Sequence, residues 1–136
     1  MKLQRCLLAL ATLAVAGTAV ELAMLRHWNG LIQLIPWAAL AVVAVAIGLV
    51  LRRRIRLARI LAVAVFVTAA LGIYEHTLAN YHAGPLDFRY AARWATMSSG
   101  SRWWAAFTES VGPSPTLAPL VLAWSSLCVW FATLDQ

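Results

Sequence analysis

Acidic side chains are few in this chain, with five Asp and Glu against eleven Lys and Arg in 136 residues. Only 12% of its residues are charged and 62% are hydrophobic, with a mean hydropathy of +0.76. A soluble domain carries about 25% charged residues, so this composition cannot cover a water-facing surface and belongs in a bilayer. Cysteine is scarce too. Cys6 and Cys128 stand in no metal-ligand spacing and read as free structural thiols. HxxxH, HExxH, CxxC, a Gly-rich phosphate loop and a nucleophile elbow are all absent. Ser98-Ser99-Gly100-Ser101 has no base placed by spacing and reads as a flexible turn or a helix cap at Ser101. These absences argue against a soluble-type enzyme. With no basic stripe on a soluble face, the net charge of +6 does not signal nucleic acid.

What the chain has is long apolar runs, organised around Arg52-Arg53-Arg54-Ile55-Arg56-Leu57-Ala58-Arg59. Guanidinium groups cross hydrocarbon at a cost of a few kcal/mol, and cytoplasmic loops are enriched in Lys and Arg. The arginine hairpin, taken as residues 52–56, is therefore expected in the cytoplasm, and the rest of the topology follows from it.

Four runs are long enough to cross about 30 Å of hydrocarbon. They cover about 3–25, 31–51, 57–79 and 116–134, with an outside loop at 80–115. The first has a rival reading as a signal peptide, with Lys2 and Arg5 as its basic end, Cys6 to Leu13 as its apolar core and Ala14-Val15-Ala16 as a cleavage site. Apolar residues continue beyond that point, which favours an uncleaved span. Pro36 either opens the second helix or kinks it. Seven of the eleven basic residues then lie inside, and both termini are expected in the cytoplasm. In the loop, Leu86, Tyr90, Trp94 and Met97 recur at helical spacing, as do Trp103, Phe107 and Val111, predicting two short interfacial helices. The expected fold is all-α, an integral membrane four-helix bundle with an aromatic-rich extracytoplasmic loop carrying short interfacial helices.

Glu21 and Glu75 each fall about five residues inside the outer ends of their helices, and intramembrane ionisable groups call for a site hypothesis. Ala14, Thr18 and Glu21 share one helix face; Thr68, Gly72, His76 and Asn80 share another at four-residue spacing. The expectation is a polar intramembrane cluster of Glu21, Glu75, His76 and Asn80, in which Glu21 meets His76. His76, His27 and His82 are the candidate cofactor or metal ligands, for haem, a chlorin or a divalent metal. A Glu/His pair also suits proton relay, and the same cluster suits simple pinning of helices. Arg52, Arg53, Arg54, Arg56 and Arg59, with Trp94, Trp103 and Trp104, are the candidate contacts for membrane lipids or partner subunits.

Glu21 followed by His27, Gln33-Leu34-Ile35-Pro36, Gly72-x-x-x-His76-x-x-x-Asn80, and the stretch from Pro115 to Pro119 together cover most of the chain. In these features the chain resembles a group of small, functionally uncharacterised four-span bacterial membrane proteins. The resemblance implies a four-span fold, a bacterial inner membrane, and a role for Glu21, His76 and Asn80; the loop departs from the group in its richness in Arg and Trp. The functional expectation is a non-enzymatic accessory or scaffolding subunit of a larger inner-membrane complex. The alternatives are a haem-, chlorin- or metal-binding protein using Glu21 and His76, and a small proton-coupled transporter.

Overall fold

The computed structural model describes residues 2–134 and contains no strand among them. Six α-helices follow one another: α1 Lys2–Met24, α2 Ile35–Leu51, α3 Ile55–Ala83, α4 Ala91–Trp94, α5 Ser99–Phe107 and α6 Leu117–Ala132. A 3-10 turn, Ile32–Leu34, leads into α2, and another, Gly84–Leu86, follows α3. Three helical stretches are long and apolar enough to cross a membrane: Lys2–Met24, Ile32–Leu51 and Ile55–Leu86. The fourth expected span is represented by α6, whose 16 residues rise about 24 Å, short of the hydrocarbon thickness. The expected return of Asp135-Gln136 to the cytoplasm lies outside the described residues.

The chain forms two compact units, one holding residues up to Ala70 together with those from Pro119 onward, the other Leu71–Ala118. The first has a core of small side chains. Ala39, Val43, Ala46 and Val50 line one face of α2, Ala58, Ala62, Val65 and Ala69 one face of α3, and Cys128, Val129 and Ala132 are buried on α6. Small residues at these spacings let helix backbones approach closely, which gives packing contacts where lipid would supply no hydrophobic drive. Leu8, Leu22, Leu40 and Leu122 join this core, while Leu13, Met24, Phe66 and Val67 are exposed. Hydroxyls inside the helices return to their own backbone, as Thr12 donates to the Leu8 carbonyl at 2.8 Å and Ser125 to that of Val121 at 2.8 Å.

Pro36 sits in the first turn of α2, where its missing N–H costs nothing, so of the two readings of this residue the opening one holds. The Trp37 indole N–H donates to the His27 carbonyl at 2.8 Å and its ring lies 6.3 Å from that of Trp28, closing the α1–α2 connection. At the arginine hairpin only Arg52–Arg54 are non-helical, since α3 begins at Ile55. The turn is a Schellman motif: the Arg54 N–H bonds the Leu49 carbonyl at 2.8 Å, the Arg53 N–H bonds Val50 at 3.0 Å, and Arg53 takes the left-handed conformation, φ 58°.

Arg59 is set apart from the other four arginines. Its Nε donates to Thr133 Oγ1 at 2.8 Å, a terminal nitrogen donates to the Thr133 carbonyl at 3.1 Å, and the guanidinium lies over the Trp130 ring. The Gln4 amide donates to the Ala132 carbonyl at 3.1 Å. Both side chains therefore serve the carbonyl end of α6, where a cation also meets the negative pole of the helix dipole. Arg59 was grouped above with the lipid and partner contacts; its donors are committed to α6 instead.

Arg59→Met is expected to lower the thermal midpoint of the detergent-solubilised protein by several degrees, because half-buried carbonyls lose a charged donor worth about 1–3 kcal/mol. Thr133→Val should cost less in the same melt, since its backbone carbonyl stays bonded.

Candidate functional site

The second unit is built on the last turns of α3, which run beyond the expected end at residue 79 to Ala83. The extension is held by Asn80, which is fully buried. Its Nδ2 donates to the carbonyls of Ala106 at 3.1 Å and Ser114 at 2.8 Å, and its Oδ1 accepts the Ser114 N–H at 2.8 Å. One carboxamide thus joins α3, the end of α5 and the loop before α6. Gly112 in that loop has φ +79°, and a Cβ there would collide with the Asn80 side chain. Glycine is required twice over, by conformation and by space. Asp87 extends the clasp: it pairs with Arg89 at 2.7 Å and accepts the Gly112 N–H at 3.3 Å. Its hydrogen bonds from the Arg89 side chain and backbone hold its carboxyl well below the usual range.

Glu109 is the other organising carboxylate. It stands in the left-handed region, φ 57°, where α5 ends in a second Schellman pair, the Ser110 N–H on Ala105 and the Glu109 N–H on Ala106. That turn brings Oε1 to the start of α6, where it accepts from Thr116 N at 2.7 Å, Thr116 Oγ1 at 2.7 Å and Leu117 N at 3.2 Å. A carboxylate on the first N–H groups of a helix satisfies orphan donors and meets the positive end of the dipole. Hydrogen bonding to the Thr116 side chain is the main reason its acidity is raised, with the two backbone N–H groups and the charge of His76 adding to it.

Around these clasps lies an aromatic cluster. Trp94 is 5% exposed and packs on Gly84, where a Cβ would overlap the indole. Tyr81 meets Trp94 edge-on at 5.5 Å and stacks on Trp103 at 4.8 Å, and Tyr74 stacks on Trp103 at 6.4 Å. Such pairs contribute about 0.5–1.5 kcal/mol each beyond their burial. An open cleft of about 470 Å³ is lined by Tyr90, Arg93, Met97, Ser101 and Trp104, with Arg93 over the Tyr90 ring at 4.4 Å. Ser98, not Ser101, caps α5: its hydroxyl accepts the Ser101 N–H at 3.2 Å.

The residues singled out from sequence are divided between the two units. Glu21 and His27 are half-buried in the first unit; Glu75, His76, Asn80 and His82 belong to the second. On α3, Glu75 and His82 are exposed, His76 is half-buried, and Asn80 is a structural clasp. His76 Nδ1 and Arg102 Nε are buried without a protein partner, and no group of three or more His, Cys, Asp or Glu suited to a metal ion occurs among the described residues. Trp94, expected as a lipid or partner contact, is core because Gly84 leaves room for its ring; Trp104, at 66% exposure, remains on the surface. Sequence reasoning missed Asp87, Glu109 and Gly112. The Gly112-Pro113 punctuation marks a turn, but no local pattern pairs it with Asn80, 32 positions earlier. No family model, curated protein or solved structure matches the chain.

Asn80→Asp is expected to destabilise the second unit as severely as Asn80→Ala, by about 3 kcal/mol or more, because its new oxygen faces two carbonyls. Gly112→Ala should act in the same direction; limited proteolysis of the 84–116 segment reads all three. The Glu109 carboxylate is more acidic folded than unfolded, so its contribution is complete above the ordinary glutamate value of 4.5 and is lost as pH falls through the lower folded value. Wild-type protein should lose stability below about pH 4.5 in a pH-resolved melt. Glu109→Gln should be less stable at neutral pH and flatter across that window.

Proposed function

We propose that this chain is a non-enzymatic polytopic membrane protein that acts as an accessory or scaffolding subunit of a larger bacterial inner-membrane complex. In this reading α6, extended by its flanking residues, is the fourth crossing of a four-helix bundle. The arginine hairpin and both termini face the cytoplasm, and the unit at Leu71–Ala118 lies outside as an aromatic lobe with interfacial short helices. The resemblance to small four-span bacterial membrane proteins agrees with this topology.

One observation carries the reading: three polar side chains that organise the lobe, Asn80, Asp87 and Glu109, are spent on its own backbone. Leu86, Phe88 and Trp104 stand out at 87%, 91% and 66% exposure. A reaction site needs acids, bases or nucleophiles free to reach a substrate; an interaction site needs a rigid surface with protruding apolar and aromatic groups. The partner that fits is another membrane-embedded subunit with an aromatic or apolar extracytoplasmic face.

A second reading has its own observation. The unpartnered, buried Nδ1 of His76, with Gly72 one turn before it, suits axial ligation of a haem or chlorin better than a multi-ligand metal site. Purification of the tagged protein from its native membrane in mild detergent, with mass spectrometry and a visible spectrum of the same fraction, separates the two. Stoichiometric membrane subunits are expected in the colourless chain's company. Colour that stays with the isolated chain and disappears in His76→Ala would replace the subunit reading with the second, and a colourless chain running alone would sink both.

A further inference from the structure

We propose that the α2–α3 hairpin is a binding site for the phosphate headgroups of anionic phospholipids, formed by Arg52, Arg53, Arg54 and Arg56 and excluding Arg59. The inference rests on the membrane-crossing reading of α2 and α3, which puts their short connection at a membrane surface.

The four side chains are exposed, and none is hydrogen-bonded or ion-paired to a described residue. The described acids are Glu21, Glu75, Asp87 and Glu109, so no acidic residue lies anywhere between positions 22 and 74. Asp87 is already paired with Arg89, and Glu109 is bonded to the start of α6. The Schellman bonds at Leu49 and Val50 hold the backbone of Arg53 and Arg54 in a three-residue turn, so four like charges leave the chain within five residues. No acid stands in the first turn of α3 to relieve them. Among the described residues no side chain neutralises them, which leaves the four guanidinium groups open to an anion from outside the chain.

The surroundings select the kind of anion. Leu51, Leu57 and Ile60 flank the hairpin with 71%, 49% and 56% of their surface exposed. A phosphate held by the guanidinium groups would lay its acyl chains along these side chains. Guanidinium groups also take phosphate oxygens in pairs, a geometry that a lysine ammonium cannot reproduce. Arg59 is excluded by its bonds to Thr133, not by its position in sequence. A pure orientation signal depends on the number of cations near the span and makes no distinction between Arg and Lys. A phosphate site does.

The test uses the full chain, reconstituted in vesicles of equal phosphatidylglycerol and phosphatidylcholine, re-extracted in mild detergent and assayed for retained lipid by mass spectrometry. Wild-type protein is expected to retain phosphatidylglycerol over phosphatidylcholine, with retention falling as salt rises. Each Arg→Gln change at 52, 54 or 56 should weaken retention roughly fivefold, the equivalent of about 1 kcal/mol per cation. Replacing all four arginines by lysine keeps the charge and the insertion signal and should still reduce retention. Arg59→Gln should lower stability and leave lipid selectivity as it was. Equal retention of the two lipids, retention of phosphatidylglycerol by the lysine variant at the wild-type level, or an effect of Arg59→Gln as large as that of Arg54→Gln would each overturn the proposal. Complete displacement of the lipid by millimolar inorganic phosphate would also overturn it, by making the free anion the ligand. Should a glutamine variant fail to insert, the lipid comparison on wild type and on the lysine variant still decides.

Discussion

Every backbone donor and acceptor that loses its helical partner must find another, and in a chain this apolar few side chains are free to provide one. That scarcity decides where the polar residues of this protein are used. Glu109 serves the N–H groups that begin α6, Arg59 and Gln4 serve the carbonyls that end it, and Asn80 serves three groups in the loop between α5 and α6. In water these ends would be solvated at little cost. In an apolar setting each is worth about 1–3 kcal/mol when left unmade, so a handful of long-range polar contacts fixes where α6 begins and ends.

The pattern separates what was legible in the sequence from what was not. Helix type, the three longest apolar stretches and the turn at the arginines all follow from local composition and periodicity, and these the structure shares with the sequence reading. The long-range clasps do not. Asn80 was noticed because it ends a polar stripe on α3, and that reasoning could choose the residue without finding its partners, which lie 26 and 34 positions away. Trp94 was misassigned because interfacial tryptophan is the usual reading of an indole near a span; the small residue that admits its ring, Gly84, looks like ordinary turn punctuation. Arg59 was grouped with its neighbours because charge clustering is visible in sequence, whereas Thr133, the residue just after α6, is not a visible partner for it.

The lobe at Leu71–Ala118 is organised by carboxylates bonded to its own backbone. Asp87 and Glu109 are made more acidic by hydrogen bonds, the direction that removes these two from general acid work near neutral pH. Its aromatic rings are interlocked through Tyr81 and Trp103, while Leu86, Phe88 and Trp104 protrude. Aromatic anchors are among the groups that dominate binding energy at protein interfaces.

The three left-handed residues sharpen the argument about charge. Arg26, Arg53 and Glu109 all occupy the position after a helix where glycine is usual, each with the paired bonds of a Schellman turn. A side chain there costs roughly 1–2 kcal/mol. Glu109 offsets that cost within the fold, because the same backbone conformation delivers its oxygen to three donors at the start of α6. The arginines have less to set against it, since a cation beside a helix C-terminus contributes about 0.3–1 kcal/mol at an exposed site. Arg53 therefore keeps a strained backbone and an exposed guanidinium, placed between two further arginines and beside the exposed Leu51 and Leu57, and this arrangement is the one on which the lipid-phosphate proposal rests.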